Sequence, residues 1–485
     1  MKQISIKKNF IMNVFVSLAN ALFPLAAYLY AARILLPVGM GKYTFATSLI
    51  AWFSMFAQLG IPEYGVRAAA KARDSREELT RTAHELLMIN LVMNAVVYLV
   101  FFLALAAVPK LQGEKKLYIL MSVSILLTSL GVEWLFKGLE QYTYIAVRSI
   151  LCKLAAMALV FLLVKEEKDY VIYGVLSIAA ASASNILNLI FLRRYIGFRP
   201  VGNYHPLRHM QPVLIFFAMA CATTVYTNLD VLMLGFMRSE ADVGIYNASV
   251  RVKSLLVGVI TSLGTVMLPR ASYYVHHGRM EDFQSMSRKA LRFVFLAALP
   301  CMAFFFVFAE PTILLLSGSK FLAAATPMRV LMPTLLLIGV TNILGFEMMV
   351  PTDRERYVLY SVVIGALVDL VLNAVLIPLY SATGAAFSTL AAETAVLLVQ
   401  LWFMRKEARQ VFSGISYGKI VLALLPAALL SFWLTLLHWN SFVTLALAAV
   451  LFFGAYGGTL LLIREPMTLE LTGFMIRMLK KWIKK

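Results

Sequence analysis

The strongest constraint on this chain is its rhythm of long apolar runs. Segments near 10–32, 43–63, 84–107, 117–137, 145–164 and 169–192 each approach the ~20 apolar residues that carry a helix across a hydrocarbon core. After a polar break the pattern resumes at 211–237, 245–269, 291–316, 329–351, 356–378 and 383–404, then at 418–438 and 441–463. None of these runs alternates apolar and polar residues as a barrel strand would, and only helices and closed barrels satisfy every backbone group inside a bilayer. The expectation is an all-α polytopic membrane protein with about 14 transmembrane helices.

Composition removes most other classes. Of 485 residues, 61% are hydrophobic and 14% charged, against about 25% charged in a soluble domain. That argues against a soluble enzyme, a nucleic-acid-binding domain or a secreted scaffold. The net charge of +19 then reads as loop charge facing anionic lipid rather than nucleic acid. Cys152, Cys221 and Cys301 lie in apolar runs without metal-ligand spacing and read as small buried hydrophobes. The opening MKQISIKKN is basic, but the apolar run behind it is too long for a cleaved signal and reads as a first span. No Ser/His/Asp order, P-loop or HExxH motif is present, so no catalytic residue is assigned. His205, His209, His276 and His277 fall in polar loops and read as solvated. The outer loops are too short for a membrane glycosyltransferase or polymerase.

Lys and Arg set the expected orientation. Counted over alternate loops and both tails, 32 of the 44 fall on one side if the N-terminus is inside, which places both termini in the cytoplasm. In the last residues, Phe474, Met475, Met478, Leu479, Trp482 and Ile483 recur at helical spacing among Arg477, Lys480, Lys481, Lys484 and Lys485. A basic amphipathic helix of that kind lies on an anionic leaflet.

Two stretches echo each other. GKYTFATSLIAWFSMFAQLGIPEYGVRAAA begins at Gly41 and GIYNASVRVKSLLVGVITSLGTVMLPRASY at Gly244, pairing Tyr43 with Tyr246 and Arg67 with Arg270. LGVEWLF at Leu130 likewise answers LGFEMMV at Leu344, pairing Gly131 with Gly345 and Glu133 with Glu347. We therefore read two parallel six-helix repeats, 1–205 and 206–410. Beyond them lie two additional spans at 411–465 and the basic segment 466–485. Parallel repeats are the arrangement of transporters that work by alternating access, with the substrate between the halves.

Charges inside the spans mark candidate sites, because an ionised group in hydrocarbon needs a partner, a wet cavity or a function. The cations are Arg33, Lys137, Arg148, Lys153, Arg251 and Lys253. Lys153 lies about 12 Å into its span, deep for simple snorkelling. Arg33, Arg148, Lys153, Arg251 and Lys253 form one candidate set around an aqueous cavity that attracts a phosphate or pyrophosphate. A second reading makes Arg33, Lys137, Arg148 and Arg251 interfacial anchors and leaves only Lys153 and Lys253 to explain. Among the acids Glu133, Asp230, Glu347, Asp369 and Glu393, the pairs Asp369 with Asn373 and Thr389 with Glu393 are each four apart and share a helix face. With Asp230 they offer the hard oxygen ligands of a coupling-ion site for Na⁺ or H⁺, or else interhelical hydrogen bonds.

Several segments resemble a known family. ARILLPVGMGKYTFATSLIAWF resembles the opening signature of bacterial polysaccharide-repeat-unit flippases, the O-antigen and capsular exporters, and LGIPEYGVRAAAKARDSREEL is similar to the adjoining block of that family. GVEWLFKGLEQYTYIAVRSILCKL, NLDVLMLGFMRSEADVGIYNASVRV and LNAVLIPLYSATGAAFSTLAAET resemble later blocks in the same order. The family sits in the multidrug/oligosaccharidyl-lipid/polysaccharide exporter superfamily. The resemblance implies two MATE-like six-helix lobes plus two C-terminal spans. It also implies transfer of an undecaprenyl-pyrophosphate-linked oligosaccharide from the inner to the outer leaflet of the cytoplasmic membrane, alongside membrane lipids and other polysaccharide assembly proteins. Cation ligands in relatives' second lobes lend support to Asp230, Asp369 and Asn373. One departure is Ser381, where the pattern often has Gly. A lipid II flippase, a cation-coupled drug antiporter and a non-transporting scaffold of a polysaccharide assembly complex remain as alternatives.

Overall fold

A backbone in lipid must close its own hydrogen bonds, and no strand occurs among the described residues. The computed structural model describes residues 6–437, 439–470 and 472–473, with side chains described from residue 23 on except at 263, 265 and 266. The basic segment from Phe474 to Lys485, read as an amphipathic helix, lies outside them. In chain order the α-helices are α1 (Ile6–Gln58), α2 (Ile61–Ala72), α3 (Arg76–Ala107), α4 (Pro109–Gln112), α5 (Lys115–Leu130), α6 (Glu133–Gly138), α7 (Tyr142–Leu163), α8 (Tyr170–Leu192) and α9 (Met210–Met237). They continue as α10 (Glu240–His276), α11 (Met280–Val307), α12 (Ala309–Leu316), α13 (Ala325–Leu331), α14 (Thr334–Asn342), α15 (Glu355–Phe403), α16 (Arg405–Phe412), α17 (Tyr417–Phe432) and α18 (Ser441–Leu462).

Twelve helical stretches among the described residues are long and apolar enough to cross a membrane. Two of them are unusually long. The 53 residues of α1 and the 49 of α15 would each extend more than ~70 Å, against a hydrocarbon core of ~30 Å. Both are broken inside. Leu36 leaves the helical region at φ 57°, ψ 179°, directly before Pro37, whose ring disfavours helical geometry at the preceding residue. Ser381 breaks α15 at φ 49°, ψ −128°, a conformation that glycine adopts without strain and serine does not.

The described chain forms two compact units, Met1–Gly244 and Ile245–Lys485. In the first, α1 packs along α7, α5, α9 and α8, while α2 packs on α6 and α3. Helices in lipid gain little from hydrophobicity and associate through close packing at small residues. Gly41 and Gly244 show this most clearly. A Cβ on Gly41 would lie 1.6 Å from the Glu240 carbonyl oxygen, and one on Gly244 would lie 2.0 Å from that of Pro37. In the second unit α13 and α14 pack on α15, and α14 on α11. The C-terminal pair α17 and α18 form a hairpin laid against α11 and α12.

One polar cluster fastens the loop before α9. Glu85 on α3 is fully buried. It accepts from the His205 backbone N–H at 2.7 Å and from Arg208 Nε and Nη2 at 3.0 and 2.7 Å. His209 Nε2 lies 2.7 Å from the same carboxylate, and Tyr64 Oη lies 2.7 Å from His209 Nδ1. The neutral Nε2–H tautomer serves both contacts, donating to Glu85 and accepting from Tyr64. His205, His276 and His277 are exposed, as the sequence suggests, but His209 is buried. The solvated reading of His209 overlooked that an acid in the apolar run of α3 requires donors, and Arg208 and His209 supply them. Glu85→Ala leaves these donors unanswered and should lower stability by about 3–5 kcal/mol, with a smaller loss for Glu85→Gln. Thermal unfolding of the purified protein checks this, and an unchanged midpoint would show that the cluster contributes no stability.

Candidate functional site

The site begins with a helix that stops in mid-span. The α5–α6 stretch breaks at Gly131 and Val132, and Val132 takes a left-handed conformation at φ 39°, ψ 38°, which is uncommon for a β-branched residue. Gly131 permits the break because Asn185 of α8 packs where its Cβ would stand, 2.4 Å from the Asn185 amide oxygen. The carbonyl freed at Gly131 accepts from Asn188 Nδ2 at 2.8 Å. The break places Glu133 in the first turn of α6, where a carboxylate suits the positive end of a helix.

Three cations surround that carboxylate. Lys137 Nζ lies 2.9 Å from Glu133 Oε1, one turn away on α6. Arg148 on α7 is 3.4 Å from Glu133 Oε2, donates to Asn188 Oδ1 and rests over the Tyr144 ring. Its side chain is 3% exposed, and its Nε has no hydrogen-bond partner among the described residues. Lys153, farther along α7, also interacts electrostatically with Glu133. Together they line a cavity of about 380 Å³ with Ser149, Ser184, Asn185 and Gln58. Three cations face one carboxylate there, so the cavity keeps a surplus of positive charge. Hydroxyls and amides on its wall add neutral hydrogen-bonding groups. Such a lining binds a multiply charged anion bearing hydroxyls better than it binds a cation.

Of the candidate cations, the structure brings Arg148 and Lys153 together in this cavity. Arg33 is exposed on α1, three residues before the break at Leu36, and does not line it. Arg251 and Lys253 are half-buried on α10 in the second unit. They are two positions apart and so point from different sides of the helix. Sequence reasoning noted Glu133 and Lys137 as charged span residues but did not group them with Arg148. It missed Asn185 and Asn188, whose signal was two amides three apart in an apolar run.

The acidic candidates also divide. Asp230 is half-buried on α9, in the first unit. Asp369, Asn373, Thr389 and Glu393 are all buried on α15. Asn373 Nδ2 donates to Asp369 Oδ2 at 3.0 Å, and the Thr389 and Tyr246 hydroxyls are 2.9 Å apart. The two arms of α15 pack antiparallel, with Gln400 Nε2 donating to Ser361 Oγ and Gly365 against Ala392 and Val396. Continuing that register brings Asp369 opposite Ala392 and Glu393, and Asn373 opposite Ser388 and Thr389. No group of three or more His, Cys, Asp or Glu side chains among the described residues is arranged to hold a metal ion, so any cation site here would draw on amide and hydroxyl oxygens too. A larger cavity of about 610 Å³, lined by Phe306, Leu314, Phe432 and Trp439, includes Glu310 and Arg329 2.8 Å apart. Its charges cancel internally, and it offers no surplus to a ligand.

Comparison with known proteins places this architecture. Residues 215–375 match the MatE family profile. An O-antigen transporter by name, from Escherichia coli, is 24% identical over 406 residues, which are 83% of this chain and 97% of the relative. A solved structure of the lipid II flippase MurJ in an inward closed conformation superposes with a TM-score of 0.73 at 16% identity, covering 94% of this chain and 99% of the other. An inward-facing multidrug resistance MATE family transporter of the MOP superfamily gives 0.64 at 13% identity, covering 81% and 96%. At these identities the solved structures establish the fold alone. Residues 6–275, more than half of the chain, match the profile described as polysaccharide biosynthesis protein, and the chain belongs to that family.

Proposed function

We propose that this protein is a flippase. It moves an undecaprenyl-pyrophosphate-linked oligosaccharide repeat unit from the inner to the outer leaflet of the cytoplasmic membrane, for assembly of a cell-surface polysaccharide. The observation that carries the reading is the first unit's cavity, where Lys137, Arg148 and Lys153 outnumber Glu133. A pyrophosphate is a dianion or more at neutral pH and pairs with Arg and Lys side chains. The sugars hydrogen-bond to amides and hydroxyls, while the polyprenyl chain stays in lipid. The family membership and the O-antigen transporter relative support the same cargo class.

The two echoing repeats work by alternating access. The cavity captures the head group from the cytoplasmic leaflet, the repeats rock, and the head group leaves outside. Counting α1 and α15 as two crossings each gives fourteen spans, and the Lys and Arg bias puts both termini inside. A coupling cation, Na⁺ or H⁺, resets the cycle at Asp369, Asn373, Thr389 and Glu393 of the second unit. A drug antiporter for organic cations would be served poorly by a cavity with surplus positive charge. A scaffold would have no use for a surplus of positive charge within a span, which costs free energy unless a ligand answers it.

Four substitutions test this reading. Lys153→Ala should weaken glycolipid binding about 10- to 100-fold by removing one charge-assisted contact, while leaving the melting temperature near that of the parent. Lys253→Ala tests the candidate lysine on α10 in the second unit, and a scaffold would keep its function in both variants. Arg148→Ala should abolish export and also cost about 1.5–3 kcal/mol of stability, because it strips a charged donor from Asn188 and Glu133. Asp369→Asn should remove the response of export to an imposed Na⁺ gradient. Export is scored in spheroplasts by the fraction of labelled glycolipid accessible to a membrane-impermeant glycosidase. Glycolipid that reaches the outer leaflet equally well without the protein would overturn the reading.

A further inference from the structure

The echo between Leu130 and Leu344 aligns two carboxylates that stand in opposite surroundings. In the first unit Glu133 is held by Lys137 and Arg148. At the same intervals after Glu347 stand Pro351 and Val362, so both cations have been replaced by groups that carry no charge. The surrounding frame is kept. Gly131 packs against the Asn185 amide, and Gly345 lies 3.3 Å, measured from an ideal Cβ, from the amide nitrogen of Gln400.

Glu347 is fully buried in the stretch Thr334–Thr352, and neither carboxylate oxygen has a hydrogen-bond partner among the described residues. Its polar neighbour is the Asn342 amide. A Cβ on Gly264 of α10 would lie 2.3 Å from Asn342 Oδ1 and 2.9 Å from Glu347 Oε1, so the three groups meet at one point. An amide is neutral and cannot answer a full charge. The elements packed on this segment are α11, α14 and α15, with α10 at Gly264. Their ionisable residues include Arg251 and Arg270 on α10, Arg292 on α11, and Asp369 and Glu393 on α15. None of them hydrogen-bonds to either Glu347 carboxylate oxygen. The backbone here is a π-helix over Ile343–Met349, continuing at once into a 3₁₀ turn over Val350–Thr352. Single π turns are rare and recur at functional sites, since they change register by one residue when they relax.

We infer that Glu347 is a proton-binding site of the second unit, separate from the Asp369 set. Uptake of one proton turns the carboxylate into a neutral carboxyl whose O–H donates to the Asn342 amide oxygen. Release leaves an ionised group that the dry position cannot hold, and the π segment must then move to bring it water or a cation. The binding claim stands on this geometry, whereas its use in driving export rests on the flippase reading above.

The first experiment needs no substrate. Full-length protein in nanodiscs is compared by infrared difference spectroscopy between acidic and alkaline buffer. The wild type should show a carboxyl C=O band that titrates reversibly and shifts in D₂O, and the band should be missing in Glu347→Gln. Should that variant fail to fold, Glu347→Asp should move the band. Identical wild-type and Glu347→Gln spectra, or an unshifted band in Glu347→Asp, would overturn the site. In proteoliposomes, Glu347→Gln should lose the part of glycolipid export driven by a pH gradient and keep its response to Na⁺. Retention of the pH-driven part would refute the coupling role. If the wild type moves no glycolipid at all, the flippase reading fails and the infrared result still decides the proton site.

Discussion

A charge placed in hydrocarbon has no water to answer it, and much of this structure depends on how each such charge is answered. Glu133 and Arg148 lie in segments that would otherwise be plain apolar helices. Their pairing requires α6 to begin where the carboxylate can face α7, so α5 stops at Gly131 and Val132 accepts a left-handed turn. Asn188 then serves two needs, donating to the freed Gly131 carbonyl and accepting from Arg148. Removing any one of these groups leaves another polar atom without a partner. The cavity is therefore a network with mutual dependence and not a loose set of surface cations.

The breaks in the helices fall where polar chemistry is concentrated. The turn at Val132 opens the cationic cavity. The break at Ser381 folds α15 back on itself, with Ser361 and Gly365 on one arm packed against Gln400, Val396 and Ala392 on the other and Asp369, Asn373, Thr389 and Glu393 all buried. The π segment at Ile343–Met349 carries Glu347. An uninterrupted helix satisfies its own backbone and offers little to a ligand. An interrupted one frees carbonyls and re-aims side chains, at a cost that neighbouring amides such as Asn188 offset.

The two units thus differ in the sign of what they hold. The first keeps a surplus of positive charge around one ionised acid, and the second buries acids with amides and hydroxyls as near neighbours. On the proposed reading this is a division of labour between a site for an anionic head group and sites for small cations. The same repeat position shows how little sequence change separates them. Glu133 has a lysine one turn later that pairs with it, while Glu347 has Pro351 at that interval and, on the inference drawn above, takes up a proton instead.

Much of this was legible in the chain itself. The length of the apolar runs and the absence of strand alternation determined an all-helical membrane protein, because hydrophobic length and the backbone's need for internal hydrogen bonds act locally. The motifs also pointed to the polysaccharide biosynthesis protein family that the profile match shows. Spacing along one helix likewise identified Asp369 with Asn373. Contacts between helices were another matter. Arg33 was grouped with Arg148 by charge alone, and His209 was read as solvated because its loop is polar, yet Arg33 is exposed and His209 is buried against Glu85. Which charges share a cavity depends on helix rotation and on where a helix breaks, and both are set by packing between residues far apart in the chain, such as Asn185 against Gly131. Local sequence therefore specified which segments cross the membrane, and only the tertiary structure decided which of their polar groups meet.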